Sequence, residues 1–599
     1  MGSTTSTDGR RMKPKLSGAR IRSCFSKAKP TTLTSLEPVL DPLYENSPRT
    51  ILISILSSNK YNTIMSIPLE DLEFQSVVGR SKYGDIRKAV FHGTPVLVKY
   101  MPPAVSSATM RLFENDLHLL MSLRHPNIVQ VIGASWSSPP TTCFVMEYLE
   151  RGDLFNLLHN SRNTLSWVTN LLTIAIGAAR GMAYLHGHTP PILHRNLKSS
   201  SIHVGADYSA KISGFAVRRE HDFGSIRPRD VSYYWMSPEL LRGDRCTFKT
   251  DVYSFGILLS ELDTRSTPYH NLHWHVSRAS SPTSSHLIQG ILHDDLRPEL
   301  SSTPMESLEQ LYRRCVAADP RRRPAFEEIL EILETDNKMG SCHSTEQTDP
   351  EPALATTTSL LAVSEEHNPQ EASVVTTSVV APVPAPIAVD PRPVSRPTEA
   401  DPNVPFGDFK EGERNVVETI LESKINLRMA AINFKELKLQ KVIGKGAFGE
   451  VIKGTYHGTP VVVKRMVRQN IDPENVRMFA EEIQLMMNLR HPNIVQFIGA
   501  SWNSYSNICF VTEFLDRGDL YSVLKNPRIQ LSWHHPLWGM TIDISRGMAY
   551  LHSMDPPIIH RDLKSMNILV SSSFGAKISD FGLSREKAMD DTMSVTGTP

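Results

Sequence analysis

Apolar and polar positions along residues 437–466 predict three consecutive strands. The stretch "LKLQKVIGKGAFGEVIKGTYHGTPVVVKRM" runs strand, glycine-rich turn, strand, tight turn, strand. Downstream, "MFAEEIQLMMNLRH" and "WGMTIDISRGMAYLH" predict helices. Two shorter segments, "TILISIL" (50–56) and "NVVETIL" (415–421), carry a related pattern. In them Ile51, Leu52, Ile55 and Leu56 match Val416, Val417, Ile420 and Leu421 at i, i+1, i+4 and i+5, one face of a short helix. Such a helix either packs on its own domain or forms a dimer contact. Across about 336–412 the pattern gives way to Pro, Thr, Ser and Ala, which bury little, so a disordered, partly extended linker is expected.

The patterns recur. "LRHPNIVQVIGASW" begins at Leu123 and "LRHPNIVQFIGASW" at Leu489, 366 residues on; "RGMAYLH" occurs at 180–186 and, at the same offset, at 546–552. Long matches at a constant offset mean duplication of a whole domain. The expected segments are a disordered basic tail at 1–47, a first domain with its short helix at 48–335, the linker at 336–412 and a second domain at 413–599. The second copy stops at Pro599, opposite Tyr233 of the first. The expectation is therefore a partial chain whose second C-terminal lobe is poorly packed and inactive as given.

Composition narrows the class. With 599 residues, 40% hydrophobic and 21% charged, the chain is soluble globular material of several domains. A net charge of +1 predicts no strong attraction to nucleic acid. The six cysteines include no CxxC pair, which fits a reduced, cytoplasmic setting. The run "ILISIL" is too short to span a bilayer. At the N-terminus "MGSTTS" fits the acylation pattern, with Gly2 as acceptor and a basic run from Arg10 to Lys29 behind it. Peripheral membrane contact and an unmodified basic tail both remain open.

The chemistry concentrates in the second copy. Gly444, Gly446 and Gly449 form GxGxxG ahead of Val451. By itself this is weak evidence, but it joins two strands rather than a strand and a helix, which argues against a dinucleotide fold. Lys464 ends the apolar run "VVVK" and needs a partner there; Glu482 in the following helix is the candidate. "HRDLKSMN" carries Asp562, Lys564 and Asn567, and "DFG" carries Asp580, with Phe581 expected to pack toward Met486.

This set, in this order, resembles the eukaryotic protein kinases, closest to their tyrosine-kinase-like group. The resemblance covers both copies. It implies an α+β fold of two bilobal kinase-like domains in tandem, ATP and Mg²⁺ as cofactors, and protein Ser/Thr hydroxyls as substrate. Asp562 would accept the hydroxyl proton and Lys564 would stabilise the phosphoryl charge, while Asn567 and Asp580 would hold the metal. The Lys464–Glu482 pair would aim an ammonium at the α- and β-phosphates. Glu513 and Leu515 would present backbone groups to adenine beside the gatekeeper Thr512; Ile443, Val451, Val462 and Leu569 would enclose the ring. Lys564 and Thr598 in "TGTP" follow the Ser/Thr pattern. Arg561 implies a phosphorylated activation segment, with Thr592, Ser594 and Thr596 as candidates.

The first copy departs from this pattern. Its loop is Gly79, Ser81 and Gly84, and Lys99 faces the shorter Asp116. Asn196 replaces the catalytic Asp, Ser201 the metal-binding Asn, and "GFA" (214–216) stands for DFG. His203, Ile86 and Leu97 replace smaller or apolar groups around adenine. Loss of the proton acceptor alone costs about 10²–10⁴ in rate, and loss of both metal ligands removes charge stabilisation. Yet Glu239, Asp251 and Arg323 persist as scaffold. The resemblance therefore implies a folded pseudokinase that contacts and regulates the second copy within the chain; decay after duplication is the competing account. A rival reading treats both copies as binding surfaces of a non-catalytic signalling scaffold.

Overall fold

The computed structural model describes residues 65–81, 84–100, 117, 119–135, 143–214, 233–271, 284–343, 430–445, 449–502, 508–582 and 584–586. Gly2 and the basic run, both short helices at 50–56 and 415–421, most of the 336–412 segment, Asp116, Phe215, Ala216, Gly446, Thr592, Ser594, Thr596 and Thr598 lie outside the described residues.

Both copies begin with an antiparallel sheet. In the first, β1 (Met65–Ser66), β2 (Leu72–Ser81), β3 (Gly84–Phe91), β4 (Thr94–Tyr100), β5 (Val131–Ser135) and β6 (Cys143–Glu147) take the order β1-β5-β6-β4-β3-β2, with β1 parallel to β5. Two further strands, β7 (Ile202–Val204) and β8 (Ala210–Ile212), form a small ribbon below it. The second copy repeats the large sheet with β9 (Leu437–Lys445), β10 (Gly449–Tyr456), β11 (Thr459–Met466), β12 (Phe497–Ser501) and β13 (Cys509–Glu513), in the order β12-β13-β11-β10-β9. The three strands expected from 437 onward are thus present. Their second turn is His457-Gly458, with φ of 46° and 75°; His92-Gly93 repeats it with 46° and 79°. Positive φ at both central residues gives the two-residue hairpin its tight reversal.

The C-terminal half of the first copy is helical. It contains α1 (Leu154–His159), α2 (Leu172–Gly187), α3 (Pro238–Leu241), α4 (Phe248–Thr264), α5 (Ser284–His293), α6 (Glu306–Cys315) and α7 (Phe326–His343). Helix α2 is the axis of this lobe, and Ile174, Ala178, Met182 and Leu185 are fully buried against Phe255, Leu258 and Ile329. Together with the preceding turn it forms Trp167–Gly187, the one helix among the described residues long and apolar enough to cross a membrane; most of it is buried in this core.

The repeated motifs meet in space. Gly181 in "RGMAYLH" lies so close to the "HPN" loop that a Cβ there would stand 2.7 Å from Asn127 O; for Gly547 the distance is 2.9 Å, to Asn493 O. Three residues further along, Tyr184 Oη accepts from Arg124 N at 3.1 Å and Tyr550 Oη from Arg490 N at 2.9 Å.

The scaffold residues of the first copy do what the sequence led us to expect. Arg323 donates to both oxygens of Glu239, at 2.6 and 2.9 Å, and its side chain is wholly buried. Asp251 accepts from His194 N and Arg195 N, each at 2.9 Å, and so fixes the loop in which Arg195 is left-handed at φ 63°.

In the second copy the helices are α8 (Pro473–Asn488), α9 (Leu520–Lys525) and α10 (Leu537–His552). Helix α10 corresponds to α2 but buries far less: Trp538 is 60% exposed and Trp533, just before it, 68%. Trp167, the repeat partner of Trp533, is partly buried and donates from Nε1 to Asp263 on α4.

Glu261 on α4 gives a pH test of this fold. Its carboxylate accepts from Ser199 Oγ and Trp235 Nε1, and burial pushes its pKa from 4.5 up to about 7. Between those values the folded chain holds a proton that the unfolded chain has released, so stability falls as pH rises through the window. The loss reaches about 3 kcal/mol above pH 7. Urea melts at several pH values should show this slope for the wild-type first copy, and Glu261→Gln should flatten it. An unchanged slope in the variant contradicts the assignment.

Candidate active site

The site of the second copy forms where β11, α8 and two loops converge. Lys464 lies opposite Val451 and Phe510 in the sheet. Helix α8 starts at a fixed point: Asp472 caps it by accepting from Glu474 N and Asn475 N, and Pro473 occupies its first position. Its buried face carries Val476, Phe479, Ile483 and Met486, and Glu482 shares that face. Lys464 Nζ accordingly donates to Glu482 Oε1 at 2.8 Å and to Asp580 Oδ1 at 3.2 Å. Burial raises the Glu482 carboxyl above its ordinary range against the opposing pull of Lys464. Burial alone would lower the Lys464 ammonium, but the Glu482 and Asp580 carboxylates outweigh it and raise it. Phe581 and Met486 are both buried in the same core.

A second group gathers beside it. Asp562 Oδ2 accepts from Lys564 Nζ at 2.9 Å and from Asn567 Nδ2 at 3.0 Å, and Asn567 Nδ2 also reaches Asp562 O at 2.8 Å. Arg561 just before is left-handed at φ 66°, which turns Asp562 out of the chain direction. His560 braces the loop, taking Asp562 N on Nδ1 and meeting Ser579 O through Nε2 at 3.0 Å; burial lowers its pKa. The two groups are coupled, because Ser579 N and Oγ both donate to Asn567 O, at 2.8 and 2.9 Å, and Asp580 follows Ser579.

Other expected site residues fall around this centre. Val462 is opposite Thr512 in the sheet, and Thr512, Glu513 and Leu515 are buried. Val451, Val462 and Leu569 are half-buried, while Ile443 is exposed. A Cβ at Gly444 would meet only Val451, at 3.8 Å, so that part of the loop is open; at Gly449 it would collide with Arg465 O at 2.1 Å. Gly449 therefore serves strand pairing.

The first copy keeps the frame and loses the groups. Ile86 lies opposite Lys99 as Val451 lies opposite Lys464, and Lys99 stands over Phe144 at 5.3 Å as Lys464 stands over Phe510 at 5.4 Å. Asn196 N meets His194 Nδ1 at 3.3 Å, the distance found for Asp562 and His560. Ser201 turns inward: its Oγ donates to Lys198 O at 2.7 Å and accepts from Lys198 N at 3.0 Å. Gly214, where Asp580 stands in the other copy, has φ 74°, and a Cβ there would be 3.3 Å from Ser201 Cβ. His203 lies opposite Lys211 as Leu569 lies opposite Lys577, and desolvation lowers its pKa.

One pairing escaped the sequence reading. Lys577 Nζ donates to Glu513 Oε1 at 2.6 Å, and Lys211 to Glu147 at 2.7 Å. The same two glutamates accept from Gln496 N and Gln130 N. The carboxylate of Glu513 is thus spent on structure. The repeated "AKIS" at 210–213 and 576–579 was the available signal.

Comparison with known proteins follows the repeat. The family described as protein tyrosine and serine/threonine kinase matches residues 72–333 and again 437–598. The probable serine/threonine-protein kinase drkB of Dictyostelium discoideum is 32% identical over 277 residues, covering 45% of this chain and 38% of its own. Serine/threonine-protein kinase CTR1 of Arabidopsis thaliana is 33% identical over 274 residues, 45% of this chain and 32% of its own. R826 of Acanthamoeba polyphaga mimivirus, named as a candidate serine/threonine-protein kinase/receptor, is 22% identical across 89% of this chain and 47% of its own. The chain spans less than half the length of these relatives.

The Lys464–Glu482 pair makes a stability prediction. Lys464→Met leaves a buried carboxylate without its counter-charge and should destabilise the second copy by about 3–5 kcal/mol. Adding Glu482→Met should recover most of that loss. Denaturant melts of the single and double variants decide, and equal instability of both would argue against the pair.

Proposed function

Because the chain belongs to the protein tyrosine and serine/threonine kinase family, we propose that its second copy transfers the γ-phosphate of ATP to Ser/Thr hydroxyls of protein substrates, while the first is a pseudokinase that regulates it. The observation that carries this is the juxtaposition of Lys464, Glu482 and Asp580 with Asp562, Lys564 and Asn567 in the second copy. We assign it to the tyrosine-kinase-like group on the motifs quoted above.

The donor set fits Mg·ATP. Asp580 is half exposed beside a buried Lys464–Glu482 pair, and its neighbour Ser579 is bonded to the backbone of Asn567, so a carboxylate and a side-chain amide, oxygen donors of the kind divalent Mg²⁺ takes, are available in one region. Mg·ATP would supply the phosphoryl group and the positive charge that steadies it as it moves. Asp562, held by Lys564 and Asn567, would orient the substrate hydroxyl and take its proton. Lys464 would bind phosphate oxygens, its position set by Glu482. Thr512, Glu513, Leu515, Val451, Val462 and Leu569 would line the base pocket.

The first copy has lost each of these functions while retaining its scaffold. Ser201 is engaged in its own turn, Gly214 offers no ligand, and His203 is half-buried where the base would rest. We propose further that Thr592, Ser594 and Thr596 are the candidate sites of activation-segment phosphorylation, and that acylation of Gly2 would bring an otherwise cytoplasmic protein to membranes.

The test is Mg·ATP-dependent phosphorylation of a generic Ser/Thr substrate by the protein expressed from its own gene. Lys464→Met and Asp562→Asn should each abolish it; Asp562→Asn is the cleaner variant, since it keeps the buried pair intact. Activity that survives Asp562→Asn would refute the assignment, and phosphotyrosine alone would redirect the substrate class. Asn196→Asp, introduced into the Asp562→Asn protein, should restore nothing, because Ser201 and Gly214 would still lack metal-binding groups.

A further inference from the structure

We infer that the two copies seat against each other back to back, and that Arg124 of the first caps the helix carrying Glu482 in the second. Arg124 Nη2 donates to Met487 O at 3.3 Å. Met487 lies in the last turn of α8, where main-chain carbonyls have no partner within the helix and the dipole favours a cation. Arg490, at the repeat position of Arg124, donates in return to the carbonyl of Met121, at the repeat position of Met487.

The neighbouring residues reciprocate as well. His125 Nε2 meets Thr459 Oγ1 at 2.7 Å, and His491 Nε2 meets Thr94 Oγ1 at 2.8 Å; both contacts are buried. Thr94 and Thr459 follow the two matching hairpin turns. Each of these four bonds therefore has a mate made by repeat-equivalent residues in the opposite direction; the bond from Arg546 Nε to Gly93 O, at 2.8 Å, does not, since Arg180 pairs with Glu334 instead. This is the pattern of an isologous interface, here built within one chain from duplicated parts. Contact between unrelated patches would not produce it.

The electrostatics require the same partners. Arg124 and Arg490 are 7% and 3% exposed. Burial draws Arg124 down to about 10, and burial together with the charge of Arg124 draws Arg490 down to about 9. Two guanidinium groups this close and this dry need acceptors, and each has a carbonyl of the opposite copy.

The seat also has an asymmetric feature. A Cβ at Gly187 would stand 2.3 Å from His457 Cε1. The second copy has Ser553 at the equivalent place, so the fold itself accepts a side chain there. Gly187 clears room for the opposite hairpin turn.

Glu482 lies little more than one turn before Met487, so a fixed end to α8 favours the placement in which Glu482 meets Lys464. Any effect on catalysis rests on the second copy being the transferring one; the seat itself does not.

The test uses the full chain with a site-specific protease sequence inserted near residue 370. After cleavage of the native protein, the two fragments should co-elute on size exclusion at the mass of one chain. Gly187→Leu should separate them while each fragment keeps its cooperative melt. In the uncut chain, Arg124→Ala should raise amide exchange over 484–488 by about tenfold, and Arg124→Lys should restore most of the protection. Where phosphorylation is measurable, Arg124→Ala should lower kcat about 3- to 30-fold with KM for the protein substrate little changed. Wild-type fragments that separate, a complex of twice the chain mass, or exchange unaffected by Arg124→Ala would each overturn the inference. An inactive second copy would count against the catalytic reading alone, because elution and exchange do not depend on it.

Discussion

Each copy is organised around one close approach, the backbone of the "HPN" loop lying on a glycine of the long helix. At Gly181 and Gly547 no side chain fits between the helix and the loop carbonyl. The tyrosine that follows, Tyr184 or Tyr550, closes the contact through its hydroxyl. Sheet and helices meet at this point, so the strand bearing Lys464 and the loop bearing Asp562 hold a constant relation only while it stays tight. Phosphoryl transfer depends mostly on positioning, which would make this contact, remote from the proposed chemistry, a precondition of it.

The two copies show how side-chain groups can differ without disturbing that frame. The registers of β3 with β4 and of β10 with β11 agree, and His194 and His560 make the same bonds in their loops. What differs is a handful of side-chain ends. Asn567 reaches across to Asp562, whereas the shorter hydroxyl of Ser201 turns back to the backbone of Lys198. The buried Arg323–Glu239 pair and the Asp251 contacts belong to folding, so they persist whether or not the loop they support can act.

Much of this was legible in the sequence, and the exceptions have physical causes. The three-strand run from Leu437 could be read from its pattern and the Lys464–Glu482 pair from the cost of an unpartnered lysine in an apolar strand, whereas the grouping of Asp562, Lys564, Asn567 and Asp580 was implied by the family resemblance. The Lys577–Glu513 and Lys211–Glu147 pairs could not be read, since they join residues 64 apart that no local pattern connects. Helix α2 gave little periodic signal because it is buried on nearly every side, and amphipathic patterning needs one wet face. The inward turn of Ser201 depends on a three-residue 3-10 turn, which composition does not announce.

Asp580 holds a left-handed backbone at φ 62°, a conformation that costs an L-residue free energy and costs glycine almost none. Replacing it with glycine relaxes the chain at the moment it removes the carboxylate. At this position selection for stability and selection for activity therefore pull in opposite directions. Once the demand for catalysis lapses, the substitution at Gly214 is downhill for the fold. The way back is uphill, because a restored Asp would have to be strained again and find room beside Ser201. On the proposed reading the duplicated domain contains a ratchet: a copy released from catalysis would drift toward a better-settled backbone, and each step of settling would lengthen the mutational path by which activity could return.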